Sequence, residues 1–387
     1  MTCRSDSANG WTYRFCPDDA PRAADRLRAI VRWVCVDEIG GDGPNLQYAI
    51  GTSAPGLTAR ISSDGIMGLT GNPARLYPGL ATTPVDIAFT VSAPGYLPRS
   101  LQATLGPVAG FPDAFAPADA GTVLLHRQPF VLRGRVVKLG GLQPTPMAGV
   151  SVWLAGVWST SPPANVDPAT VMEPPNLVAL QPGLYADRQA SVDGLRRRDM
   201  TLTVGQDKTL LTPGVVGGTT VKLSDRVAVA VGTVLAFEPT LPARVEYVVV
   251  SAVAGASTAD QPATVTLAHP LRMAHEEGTT CVVATPAAPG ANVLLSRDGV
   301  AGEQVAFLAT LGGVTAGVVE LSGGGAGVEY QTVATYRTVS DGDGFYRLPP
   351  LSRVALVKLH ADQAPAQEPV MSPDYTSYEN LFDVIYP

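Results

Sequence analysis

The sequence predicts an all-β chain: two β-sandwiches, the second interrupted by an insert that carries a small β-barrel. Three observations lead there. Gly (40) and Pro (34) are abundant and punctuate the whole chain. Between them lie short runs of Val, Leu and Thr, residues that suit a pleated, half-buried surface. Few stretches carry a sustained apolar stripe at helical spacing. At 387 residues the chain is long enough for more than one hydrophobic core.

Residues 1–23 read as an irregular N-terminal arm anchored by Trp11, Tyr13 and Phe15. A free tail rarely gathers three aromatic rings so closely, so the arm is expected to dock on its own chain or on a neighbour. Residues 24–127 form the first sandwich. Residues 27–36 alternate, placing Ile30, Arg32 and Val34 on one face and Val31, Trp33 and Cys35 on the other. Ser62-Ser63-Asp64-Gly65 is a turn between two extended runs. Residues 85–92 point Ile87, Phe89 and Val91 to one side, turn at Ala93-Pro94-Gly95, and return antiparallel through residues 98–105.

The second sandwich is read from two separated pieces, residues 128–157 and 336–361. The second piece holds a turn, Asp341-Gly342-Asp343-Gly344, whose glycines tolerate positive φ, followed by Phe345, Tyr346 and Arg347 and the corner Pro349-Pro350. Asp341, Gly344, Tyr346, Leu348 and Leu351 match a hairpin pattern, and Gly134, Val136, Pro146, Met147, Gly149, Val150 and Val152 match its usual opening half. On these residues the chain resembles the carboxypeptidase-regulatory-like module, a small Ig/transthyretin-like β-sandwich. The "G-Y" turn that closes the family pattern is missing after Leu359. In the first sandwich, Val91, Ala93, Pro94, Gly95, Tyr96 and Pro98 resemble the closing phrase of the same broad class, with the Tyr capping the core. The resemblance implies a sandwich and imports no peptidase activity, since the motifs of the family's separate zinc domain are absent.

Residues 158–335 are then an insert. Residues 159–182 are rich in Pro, Ser and Asn and read as a surface excursion. From about 183 to 290, short β-type runs recur at intervals of roughly ten residues, a small-barrel rhythm. This stretch is similar to barrel segments of phage and injection-particle proteins. Residues 291–335 are Gly-rich and lead back into the sandwich. Residues 362–387 form a C-terminal arm with Tyr375, Tyr378, Phe382 and Tyr386.

The formal charge of −7 gives no electrostatic footprint for nucleic acid and no polybasic membrane signal. Residues 1–20 are polar where a signal peptide would be apolar, and no window suits a membrane-spanning helix. Cytoplasmic synthesis without membrane insertion is expected. Cys35 and Cys281 read as buried, reduced strand residues. No P-loop, HExxH, nucleophile elbow or dinucleotide fingerprint is present. His269 and His275 with Glu276 and Glu277 would offer metal ligands, but Pro270 separates them from one helix face. Asp341 and Asp343 resemble a calcium loop without the bidentate Glu such loops need. The expectation is no catalytic residue, no metal and no cofactor.

A cytoplasmic β array without an active site suits a particle assembled inside the cell. In its setting the chain resembles phage-tail-like, contractile injection proteins, with other particle subunits and itself as partners. The interaction residues expected are Trp11, Tyr13, Phe15, Tyr375, Tyr378, Phe382 and Tyr386, on arms that supply no core strand. The alternative is a carbohydrate-binding or surface-adhesion module.

Overall fold

The computed structural model describes residues 4–8, 11–15, 27–41, 47–62, 65–141, 143–159, 172, 175–181, 192–255, 258–299, 302–323, 328–362 and 370–387; for 4–8 and 11–15 this covers the backbone alone. The chain is all-β, with one four-residue helix, Pro73–Leu76, among the described residues. It divides into two compact units, Met1–Gln128 with Ser159–Ser161 and Pro129–Trp158 with Pro162–Pro387.

In the first unit, Arg4–Ala8 and Trp11–Phe15 pair as an antiparallel hairpin, where the sequence reads as irregular. One sheet has the order Thr58–Ile61, Ile66–Gly71, Arg28–Asp37, Ala118–Leu125. The other holds Ala49–Thr52, Val85–Ser92 and Arg99–Leu105. Val31, Trp33 and Cys35 are buried with Ile87, Phe89 and Val91 in one apolar cluster, as the alternation predicts. Ile30 departs from it. The register slips between Ala29 and Val31 opposite Ile66–Gly71, so Ile30 is the extra residue of a bulge and turns inward.

The second unit begins as two sheets. Val131–Lys138 pairs with Phe345–Arg347 and Thr145–Pro146. The other sheet has the order Arg337–Val339, Ser151–Trp158, Leu356–Ala361, Val370–Met371. Strands from both sides of the long insert therefore pair: Gly134 lies opposite Tyr346 and Leu154 opposite Leu359.

The insert is built differently from the sequence reading. Six strands follow the order Asn292–Leu294, Gly194–Arg198, Gly317–Ser322, Glu329–Ala334, Leu177–Gln181, Val305–Phe307. A bridge between Leu295 and Leu308 joins the last to the first, so the hydrogen-bonded path closes on itself. Inside this outer ring sit Val178, Leu180, Leu195, Val319, Leu321 and Val333. Leu177–Gln181 falls in the stretch read as a surface excursion. Its LVAL run is buried at all four positions, so it shows no alternation to mark it as a strand.

A second ring is inserted in the sequence between two strands of the first, Gly194–Arg198 and Asn292–Leu294. It runs Thr220–Leu223, Ala263–Leu267, Glu246–Gly255, Val234–Phe237, Thr280–Pro286, Lys208–Thr209, and the Leu210–Leu223 bridge returns to the start. Its interior is Leu210, Leu223, Leu235, Phe237, Val265 and Cys281. Gly194–Arg198, inside the stretch expected to form one barrel, belongs instead to the outer ring.

Both insertions use one device. The inner ring leaves from Gly194–Arg198 and returns at Asn292–Leu294, and these two strands pair with each other. The outer ring leaves after Ser151–Trp158 and returns before Arg337–Val339, which also pair. The ends of each insert are thus held together by the host, so little extra loop-closure entropy is lost.

Candidate interaction surface

Two of the charged residues that sequence offers for chemistry, His275 and Asp341, hold the fold together. Glu246 and His275 have fully buried side chains. Glu246 Oε1 accepts from the Arg272 N–H at 2.8 Å, Oε2 accepts from the Met273 N–H at 3.2 Å, and His275 Nε2 lies 3.0 Å from Oε2. Arg272 Nη1 donates to Glu329 Oε1 and Nη2 to the Tyr330 carbonyl, both at 2.8 Å. The network ties an inner-ring loop to an outer-ring strand. Glu276 and Glu277 are exposed while His275 is buried. Among the described residues, no group of three His, Cys, Asp or Glu is placed to hold a metal.

Asp341 serves its own hairpin. Its Oδ1 accepts from the N–H groups of Asp343 at 3.0 Å and Phe345 at 2.8 Å. Gly344 has φ +77° and comes so close to the Val136 carbonyl that a Cβ would lie 2.7 Å from it. Residues 324–327 of the Gly-rich stretch 291–335 lie outside the described residues.

In the first unit, Asp37 Oδ2 accepts from the Tyr96 hydroxyl and from Arg127 Nε at 2.9 Å, and Oδ1 accepts from the N–H groups of Ile39 at 2.7 Å and Gly40 at 3.0 Å. Burial alone would raise the Asp37 carboxyl, but these four donors together hold it below the usual carboxylate range. Burial and the Asp37 partner push the Tyr96 phenol up to about 12. Tyr96 thus caps the core as a donor, fixing the turn after the Val85–Ser92 strand.

The arms are where the structure corrects the sequence reading most. Trp11, Tyr13 and Phe15 lie outside the residues whose side chains are described. The C-terminal arm does supply strands. Glu379–Leu381 and Val384–Tyr386 pair in parallel with Val131–Lys138, Val131 opposite Glu379 and Val136 opposite Val384. Tyr375 is buried edge-on against Phe130, centroids 5.1 Å apart, and hydrogen-bonds to Val354. Tyr386 is buried with its hydroxyl donating to the Asp362 carbonyl. Phe382 is half-buried and Tyr378 is 53% exposed. The physical reason is an open edge. Without the strap, one side of Val131–Lys138 would present unpaired N–H and C=O groups.

The strap has a shaped seat. A Cβ on Gly134 would come within 1.9 Å of the Phe382 carbonyl oxygen, so glycine leaves the space the strap crosses. Tyr346 donates its hydroxyl to that same oxygen, and Asp383 Oδ1 accepts from the Arg135 N–H at 2.8 Å.

From Leu132 on, the strap and its neighbours make a sheet that alternates between buried and exposed side chains. Leu132, Val136, Asn380, Val384 and Tyr386 point in. On the outer face Leu381 (71% exposed), Ile385 (51%) and Phe345 (49%) lie around Arg133 and Arg135. Arg135 stacks over Phe345 at 4.5 Å from the ring centroid, and Arg133 pairs with Glu379 at 2.8 Å. Three large apolar side chains on one sheet face, flanked by arginines, form the composition expected of an interface.

No protein-family model matches the chain, and no curated protein matches it. Among solved structures, a variant of BcpA, the major pilin subunit of Bacillus cereus, is similar at 9% identity over 93% of this chain and 99% of that one, with a TM-score of 0.21. BcpA itself gives 8% identity, the same coverage and a TM-score of 0.18. Likeness at that level carries no argument about this chain.

Proposed function

We propose that the protein is a non-catalytic structural subunit of a phage-like or contractile injection particle, in its baseplate, collar or fibre region. One observation carries this reading: the exposed outer face of Leu381, Ile385 and Phe345 on the strap-bearing sheet. Burying large apolar side chains is the main driving force of subunit association, and arginine is enriched beside them at interfaces. The titratable clusters described above add support, because their bonds are spent on holding modules and turns together.

The test is to place charge on that face. Phe345→Glu with Leu381→Glu is expected to leave a folded chain that no longer enters the particle fraction of the producing cell. The rival reading, a carbohydrate-binding or adhesion module, rests on the exposed rings of Tyr378 and Phe345. Glycan binding by the wild-type chain, lost in Tyr378→Ala and Phe345→Ala while the chain never joins a larger assembly, would replace the proposal.

A further inference from the structure

We infer that the C-terminal strap, residues 370–387, is an exchangeable element, and that the edge of Val131–Lys138 accepts the strap of a second copy of this chain. The seat already described is that of a peptide-binding groove. An extended segment adds parallel to an open strand, a glycine makes room for its backbone, and two hydroxyls fix it: the seat's Tyr346 at the Phe382 carbonyl and the strap's own Tyr375 at Val354. A seat that holds this segment from its own chain presents the same contacts to the identical segment of a neighbour.

The strap is held to its own unit by short strands: two on Val131–Lys138 and Val370–Met371 on Leu356–Ala361. Each strap strand on Val131–Lys138 is three residues long. The backbone bonds at their ends are few: Val131 N–H to Tyr378 O at 2.7 Å, Phe382 N–H to Arg133 O at 2.8 Å, and Leu139 N–H to Tyr386 O at 2.7 Å. Leu381 and Ile385 face outward, so release of the strap exposes Tyr375, Asn380, Val384 and Tyr386, uncovers Phe130 and frees Val370–Met371 from Leu356–Ala361. Segments with few buried contacts and a chain end open at the lowest free-energy cost. The eight peptide steps from Asp362 to Val370 reach at most about 28 Å. Within one chain the strap competes at an effective concentration on the order of 1 mM, so exchange is expected where copies are crowded, as in an assembly.

This deepens the assembly reading and rests on it for its use, but the exchange is measured separately. Arg133 and Leu381 lie directly opposite each other and both point outward. In a full chain with Cys3 and Cys16 changed to Ser, the double variant Arg133→Cys/Leu381→Cys should close a disulfide within one molecule in dilute solution. The two single variants, carrying different tags, are then mixed and oxidised. The expected result is a cross-linked heterodimer whose share rises at least tenfold between about 0.01 and 1 mM. A double variant that closes while the mixed singles never cross-link overturns the inference, as does a double variant that fails to close. Failed exchange leaves the particle reading to its own sedimentation test, and exchange by a chain that sediments alone would separate the two in the opposite direction.

Discussion

Asp37 and Glu246 solve the same problem with different reach. Each is a buried carboxylate that accepts two backbone N–H groups and further side-chain partners. Asp37 takes Ile39 and Gly40, two and three residues on, then Tyr96 and Arg127. It is a lock on one corner of the first unit. Glu246 takes Arg272 and Met273, and Arg272 continues to Glu329 of the outer ring. It is a rivet between two nested modules. The two carboxylates thus differ in the joint they close. A continuous sandwich needs a local clasp, while an insert within an insert needs one that crosses from guest to host.

The comparison is broken most strongly at Arg272. Arg272→Ala removes the guanidinium from Glu329, which keeps Gln331 Nε2 at 3.1 Å, and from Glu246 at 3.6 Å, and losing one partner of a buried pair costs about 3–5 kcal/mol. Denaturant unfolding should show that loss in the second unit alone, with hydrogen exchange rising in both Glu246–Gly255 and Glu329–Ala334. Exchange rising in the inner ring only would mean that Arg272 does not join the rings.

Asp37→Asn keeps the shape and removes the charge. It is expected to cost roughly 1–3 kcal/mol, confined to the first unit, because hydrogen bonds to a charged acceptor are lost or weakened. Its pH dependence follows from sign. The folded carboxyl lies below its ordinary value of 3.8, so the unfolded chain takes up the proton first as pH falls. The Asp37 contribution is full above the ordinary value and is lost as pH drops through the folded one. The gap between wild type and Asp37→Asn should therefore shrink in acid; a gap that widens would contradict the assignment.

How much of this was legible beforehand differs between the same two regions. The first sandwich was readable because Ile87, Phe89 and Val91 alternate with polar neighbours, and a Pro-Gly-Tyr corner marks the turn. The split of the second sandwich was readable from the hairpin at Asp341–Arg347 and its distant opening half. The nesting was not. Leu177–Gln181 lacks alternation because all four of its apolar residues are buried, and Gly194–Arg198 lies in the stretch read as one barrel although Leu195 fills the outer ring. The strap was misread because ENL and VIY are three-residue strands that only the edge of Val131–Lys138 makes meaningful.

The strap gives a smaller test of that point. Gly134→Ala should push the Phe382 carbonyl away and cost about 1–3 kcal/mol of strap docking, seen as faster carboxypeptidase trimming with an intact remainder. Smallest of all, the buried thiols should be inert. Burial pushes Cys35 up to about 11 and Cys281 up to about 12. Neither should be alkylated in the native chain at mildly alkaline pH, and both should label on unfolding.

The central claim, a structural subunit of a large particle, is tested most directly by sedimentation of the native protein from the producing cell, with electron microscopy of the fraction that holds it. The account expects the 40.2 kDa chain in a particle many times its mass, in fixed ratio to other proteins. A chain found wholly in the soluble fraction at its own mass would contradict it.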